Sequence, residues 1–566
     1  MKHILGWITI VLLVIVIIGC GKAEEEKMEW QEKADAFLNQ YLKEFAGLEL
    51  AQNTTYWKAA NSGKQEDFDA SARAELALKT LHSDSQRWAR LEELLKHRER
   101  LNPLTARSLQ VAALSFKKNQ LPPETLTVLV NKASAIEQVF TAFRGKIGDK
   151  EYSDNELLQM MSRERDSATR LKIWQAMKQV GAAVAPKLVE LARLRNEAAG
   201  KLGYPNYWDM QIQLDEHDPQ ELTAIFSELE RLTDEPFRQM KAALDAELAK
   251  RFGIRPQEMM PWHYDNPFFQ AAPPSAKIDL DEFYRDKKRE EPVALAKRFF
   301  ADMGLPVDDI LKRSDLYERP GKNQHAFSSD IDRKGDVRIL MNLSSTAEEM
   351  DTLLHELGHA LYSAHHDHEL PFNLANAAHG FTTEGVALLF GALAKTPTWL
   401  TTYAGVDENR VKEMKGAILE QRRREQLIFA RWSLVMFYFE KTLYENPDQD
   451  LNKTWWDLVE RFQFLKRPPD RDAPDWAAKI HFSISPVYYH NYQLGELLAA
   501  QLRASLVKLA KHDAPAPNLR YDQHPQFGPF FIEKIFKPGM TQAWPEFVKQ
   551  ASGEPLTAKY FARELK

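Results

Sequence analysis

His355-Glu356-Leu357-Gly358-His359 sets two imidazoles four residues apart with a glutamate between them, inside the apolar-periodic run EEMDTLLHELGHALYSA. Four residues advance a helix by about 400°, so the two histidines share a face, one turn apart in height. Imidazoles placed this way fill two corners of a zinc tetrahedron. Glu356 lies about 100° around from His355, close enough to reach a water at the metal without ligating it. The chemistry this pattern supports is hydrolysis by an activated water, with Glu356 as general base.

Two residues compete for the third ligand position. His365 follows His355 by ten residues, the spacing of the metzincin third histidine, but Tyr362 stands where that pattern needs a chain-turning glycine. If the helix continues instead, His365 sits about 15 Å along the axis from His355 and cannot reach the ion. Glu384 comes 25 residues after His359, where 381–383 cap a new apolar helix, EGVALLFGALA, and Glu384 projects from its first turn. His355, His359 and Glu384 make a His₂Glu site for one Zn2+ with the fourth position open, the catalytic arrangement. His366, His368 and His379 read as surface or substrate-side residues of the intervening loop.

The elements that must hold these residues are predominantly helical. Segments near 29–51, 66–101, 123–145, 153–200 and 218–252 carry apolar residues at three- and four-residue spacing. Pro and Asn/Asp clusters punctuate them, and Ser153-Asp154 offers a helix N-cap. No alternation of strand and helix appears, so a doubly wound α/β fold is excluded and the expected class is mostly α. One stretch departs from this: 324–331 (QHAFSSDI), 332–335 (DRKG) and 336–343 (DVRILMNL) read as strand, turn and strand ahead of a helix capped by 344–346. Charge runs at 285–291 and 422–425 read as solvated helix faces. With 75 basic against 81 acidic residues and a net charge of −6, nothing favours a nucleic-acid partner. The single cysteine excludes a disulfide framework and any cysteine-ligated zinc.

That cysteine ends an N-terminal segment with its own logic. Lys2 and His3 precede an apolar run from Ile4 to Ile18, which closes in Ile17-Ile18-Gly19-Cys20. A basic start, an apolar run of about 15 residues and a small residue before the cleavage point describe a secretory signal. IIGC resembles a bacterial lipobox, which implies lipid attachment at Cys20, a signal peptide over 1–19 and a tether over 20–29. Gly21 after the cysteine resembles outer-membrane sorting, so the expected location is the periplasmic face of the outer membrane, with 30–566 as the catalytic domain.

Downstream stand Trp455-Trp456, Phe462-Gln463, Pro468-Pro469 and Ala478-Lys479-Ile480-His481, with Gly380-Phe381 shortly before Glu384. This order resembles the angiotensin-converting-enzyme family of zinc peptidyl-dipeptidases, over essentially residues 30–566. The resemblance implies one large helical fold with a deep cleft crossing the zinc helix, and oligopeptide substrates. It implies that His481 and Tyr492 stabilise the tetrahedral intermediate and that Lys479 and Tyr489 hold the substrate's free C-terminal carboxylate. It also implies that His325 and Ala326, in the segment His325-Ala326-Phe327-Ser328, contact the substrate.

Several positions depart from that family. The interval from His481 to Tyr492 is one residue longer than in the animal enzymes, so Tyr488 and Tyr489 are both candidates for the carboxylate contact. Asn491 replaces an arginine that supports chloride activation, so weak or absent activation is expected. Leu388 replaces an aspartate behind a zinc histidine, and that imidazole needs another partner. A glutamine that completes the carboxylate anchor has no clear counterpart, with Tyr264 and Gln270 nearby. Three functions follow: release of C-terminal dipeptides, internal cleavage as an oligoendopeptidase, or peptide binding without catalysis.

Overall fold

The computed structural model describes residues 2–274, 278–511 and 519–565, with side chains from residue 24 onward. The lipid-attachment cysteine, Cys20, and the apolar segment before it lie outside the described side chains. Among the described residues no helix is long and apolar enough to cross a membrane.

Helices dominate, as the periodicity indicates. The first group is α1 (Lys2–Ser62), α2 (Gln65–His82), α3 (Ser85–Lys96) and α4 (Pro103–Lys118), which close a small core of their own around Tyr41, Phe45, Leu91, Leu94 and Phe116. Glu26, inside the expected tether, accepts a hydrogen bond from Arg100 at 2.6 Å, so the folded domain takes in the end of that segment. Next come α5 (Pro123–Ala142), a hairpin of β1 (Gly145–Ile147) and β2 (Lys150–Tyr152), then α6 (Asp154–Arg163), α7 (Ser167–Lys201), α8 (Tyr207–Leu214) and α9 (Pro219–Phe252). The caps follow from residue type. Ser153 and Glu156 form a reciprocal capping box on α6. Asp218 accepts from the backbone N–H of Gln220 and Glu221 ahead of a proline at the first helical position of α9.

The remaining elements surround the HEXXH segment. These are α10 (Glu291–Asp302), α11 (Asp308–Arg313), β3 (Phe327–Asp330), β4 (Val337–Leu340), α12 (Ala347–His365), α13 (Gly380–Gly391), α14 (Pro397–Thr402), α15 (Glu408–Glu445), α16 (Leu451–Gln463), α17 (His481–Ile484) and α18 (His490–Leu509). The chain closes with α19 (Phe527–Phe530), α20 (Trp544–Ser552) and α21 (Lys559–Glu564). One continuous apolar core joins these elements from Ile136 to Leu565.

The expected hairpin is present but shorter. β3 and β4 pair antiparallel from Phe327 opposite Leu340 to Asp330 opposite Val337. His325 and Ala326 therefore precede the strand. Among the described residues β3 pairs with β4 alone, and Asn53 on α1 donates to the Asp330 carbonyl at 3.0 Å. The charge run at 422–425 corrects the sequence reading. It lies on α15, where Arg424 is buried and bonds Glu247 and Glu420, so it is not a purely solvated face.

Two glycines let the helices that carry the site come close. A Cβ on Gly358 of α12 would lie 2.8 Å from the Cα of Ala387 on α13, closer than real Cβ contacts come. A Cβ on Gly495 of α18 would meet Glu384 Cγ at 3.0 Å. Glycine at both positions allows α13 to sit between α12 and α18 with Glu384 facing the histidine pair.

Candidate metal centre

Thr346 caps α12 by accepting from Glu349 N at 3.1 Å, and the helix runs unbroken to His365. That continuity settles the metzincin alternative: His365 lies at the helix end, its Nδ1 beside the Leu361 carbonyl at 3.0 Å, away from the histidine pair. His355 Nε2 and His359 Nε2 stand 3.2 Å apart, with Glu384 Oε1 at 3.9 Å from the first and Oε2 at 3.5 Å from the second. A tetrahedral ion with ligand bonds of about 2.0–2.1 Å sets its ligand atoms roughly 3.3–3.4 Å apart. The three donors fit zinc. Glu384 sits five residues into α13, one position beyond the first turn that the sequence suggests, because the helix begins at Gly380 with His379 as its cap.

The tautomers suit ligation. His359 Nδ1 lies 2.7 Å from Thr383 Oγ1, so an Nδ1–H donating to that hydroxyl leaves the Nε2 lone pair facing the centre. Thr383 is the outer-shell partner of His359, whereas Leu388 packs near Gly495 and offers neither donor nor acceptor. Burial, and then the neighbouring His359, push the His355 pKa below the ordinary imidazole value, which favours the neutral ligand form. Burial acts to raise the Glu384 pKa, but the two histidines outweigh it and hold the carboxyl below its usual range.

Glu356 is buried at 7% exposure, and burial pushes its pKa up to about 7, the Ser328 backbone N–H acting against the rise. β3 therefore positions the carboxylate.

A second cluster, Asp215, His217 and His379, also gathers possible ligand atoms. His379 Nδ1 accepts from Phe381 N at 3.1 Å, so its Nε2 carries the proton and donates to the Asp215 carbonyl at 2.8 Å. A histidine committed at both nitrogens has no lone pair left for a cation. His379 here caps α13, with Asp215 exposed and the two histidines buried. Of the surface and substrate-side readings of the loop histidines, burial removes the surface one for His379 and for His366, whose Nε2 is 3.3 Å from the Arg333 carbonyl.

Lys479 is buried and donates to Gln270 Oε1 at 2.6 Å. Its ammonium lies 5.5 Å from the ring of Tyr489, whose hydroxyl accepts from Trp432 Nε1 at 2.7 Å. The Tyr489 ring is 5.2 Å from His481 and 5.3 Å from Tyr492, and Tyr492 senses the charge of Glu384.

The sequence model of the angiotensin-converting enzyme family matches residues 28–561, nearly the whole chain. The chain belongs to that family. Angiotensin-converting enzyme of Bos taurus is 24% identical over 435 residues, 70% of this chain and 32% of its own length. That of Mus musculus is 24% identical over 430 residues, 71% of this chain and 32% of its own. The chain thus spans about a third of the length of these mammalian relatives. The enzyme of Haematobia irritans exigua is 23% identical over 523 residues, 83% of this chain and 84% of its own. Members of the angiotensin-converting enzyme family are zinc metallopeptidases, and the cofactor here is zinc, with His355, His359 and Glu384 as the set that fits it.

Three positions left open in the sequence have distinct surroundings. Tyr489 is buried beside Lys479, whereas Tyr488 is 41% exposed and stacks edge-on to Tyr492. Gln270 is the amide that Lys479 bonds; Tyr264 is committed elsewhere, donating to Asp245 and accepting from Lys241. Asn491 Nδ2 donates to the Asp215 carboxylate at 3.3 Å, so the group beside it is an anion. Sequence reasoning missed Thr383, Trp432 and the Ser328 amide. Only Thr383, a hydroxyl immediately before a ligand carboxylate, carried a usable signal.

Proposed function

We propose that the chain is a zinc peptidyl-dipeptidase that removes C-terminal dipeptides from oligopeptides. The observation that carries this reading is Lys479, a buried cation whose hydrogen-bond partner is the neutral amide of Gln270 and which forms no ion pair among the described residues. A buried ammonium without a counter-ion is costly unless a ligand supplies one. A substrate's terminal carboxylate, with Tyr489 alongside, meets that need by charge-assisted bonds.

Bound at His355, His359 and Glu384, zinc supplies Lewis-acid polarisation of the attacking water and the scissile carbonyl. Glu356 takes the proton of that water and returns it to the leaving amine nitrogen. Tyr492 and His481 donate to the developing oxyanion; His481 has a buried Nδ1 with no protein partner, and burial lowers its pKa to about 4. The segment leading into β3, with His325 and Ala326, pairs with the substrate backbone as an added strand. Two extended residues reach about 7 Å, the span that dipeptide release requires between the scissile bond and a carboxylate held at Lys479.

Burial lowers the Lys479 pKa to about 8. The group is charged below that value and loses its charge as pH rises through it. For free-carboxylate peptides, kcat/KM, which reports the free enzyme, should therefore fall above pH about 8, and Lys479→Gln should lack that limb. An alkaline limb unchanged in Lys479→Gln would contradict the anchor.

We infer further that Cys20 carries a lipid and holds the enzyme on the periplasmic face of the outer membrane. The support is the IIGC end of the N-terminal apolar run. Cys20→Ser should abolish acyl labelling and release the protein from the membrane fraction; label that persists would contradict this.

A further inference from the structure

A cavity of about 450 Å³ opens beside the metal centre and the carboxylate anchor. Gln270, which accepts the Lys479 hydrogen bond, lines it, as does Leu388, one turn beyond Glu384. On the reading that Lys479 holds the terminal carboxylate, the side chain nearest that carboxylate belongs to the substrate's C-terminal residue, and this cavity is the space open to it.

Its chemistry is uneven. Apolar wall comes from Leu388, Ile418 and Phe429. Charge comes from Glu348, Asp351, Glu425 and Glu496 against Lys395 and Arg422. Lys395 is already engaged by both Glu348 at 2.6 Å and Asp351 at 2.7 Å. Arg422 and Arg503 face Glu496 and Glu564, so that group is balanced. Glu425 remains: it accepts from Gln421 Nε2 at 2.8 Å and forms no ion pair among the described residues. Its side chain is exposed to the cavity. A carboxylate surplus behind apolar wall suits a side chain with an aliphatic stem and a cationic head.

We propose that this cavity selects a basic C-terminal residue, lysine or arginine, whose cation pairs with Glu425. Partial desolvation raises the Glu425 pKa above the usual carboxylate value against the pull of Gln421 and Lys395, and an incoming cation would lower it again.

The test uses the full-length enzyme and two pairs of N-blocked tripeptides, one ending in arginine or its neutral isostere citrulline, the other in glutamate or glutamine. Wild type should release the arginine dipeptide with kcat/KM roughly tenfold above the citrulline one. In Glu425→Gln that ratio should fall to near one, and in Glu425→Lys the glutamate peptide should be preferred to the glutamine one. Dipeptide release at equal rates from arginine and citrulline peptides in wild type overturns the cavity assignment alone. A preference that survives unchanged in both variants overturns the role of Glu425. Absence of dipeptide release from every peptide overturns the parent reading, and the cavity assignment with it.

Discussion

Glu356→Gln should bind zinc at wild-type stoichiometry and lose hydrolysis by about 10²–10⁴-fold. The substitution keeps the shape of a side chain that is buried at 7% exposure, and the amide oxygen can still accept from the Ser328 N–H, so packing against β3 survives. The three ligands are untouched. An amide cannot accept the proton of the attacking water, whereas the Glu356 carboxylate can take one and return it. Metal content measured beside kcat/KM separates the two effects. Near-normal turnover in the variant would contradict the general-base role, and lost zinc would make Glu356 a structural support of the site.

Glu384→Ala should lose zinc, with affinity falling by more than the roughly 10–100-fold that removal of an outer-shell partner costs. Only two imidazoles, 3.2 Å apart, would remain from the three-donor set. Thr383→Val gives the calibration, because it removes only the hydroxyl 2.7 Å from His359 Nδ1 and should cost about that 10–100-fold. His365→Ala should bind zinc like wild type, since its imidazole sits at the end of α12 beside the Leu361 carbonyl. Metal titration of purified proteins decides the matter: zinc lost from the His365 variant but kept by the Glu384 variant would contradict the assignment.

What the sequence made legible was local and periodic. Helical spacing placed His355 and His359 on one face, and the missing glycine at Tyr362 correctly kept α12 running past the metzincin turn. The strand–turn–strand reading of 324–343 anticipated β3 and β4, both shorter than expected. Residues brought in across long distances left no such trace. Gln270 sits in an irregular segment and reaches Lys479 only through the tertiary fold, so neither period nor cap marks it. His379 looked like a loop histidine because its partner, Asp215, lies far back in the chain. The run at 422–425 was misread because charge patterning reports helix amphipathicity, whereas α15 packs Arg424 against Glu247 of α9 and turns Glu425 toward a cavity. The glycine of HELGH reads as a small residue in a motif, and its need for close passage of α13 is visible only in three dimensions.

The proposed dipeptidase activity requires the buried Lys479 to bind a substrate's terminal carboxylate. One oligopeptide, offered with a free and with an amidated C-terminus and its products identified by mass, tests that claim most directly. The free peptide should yield a C-terminal dipeptide, and amidation should lower kcat/KM by about ten- to a hundredfold through loss of the Lys479 contact. Equal cleavage of both forms, with fragments of varied length, would contradict the dipeptidase reading and favour an oligoendopeptidase.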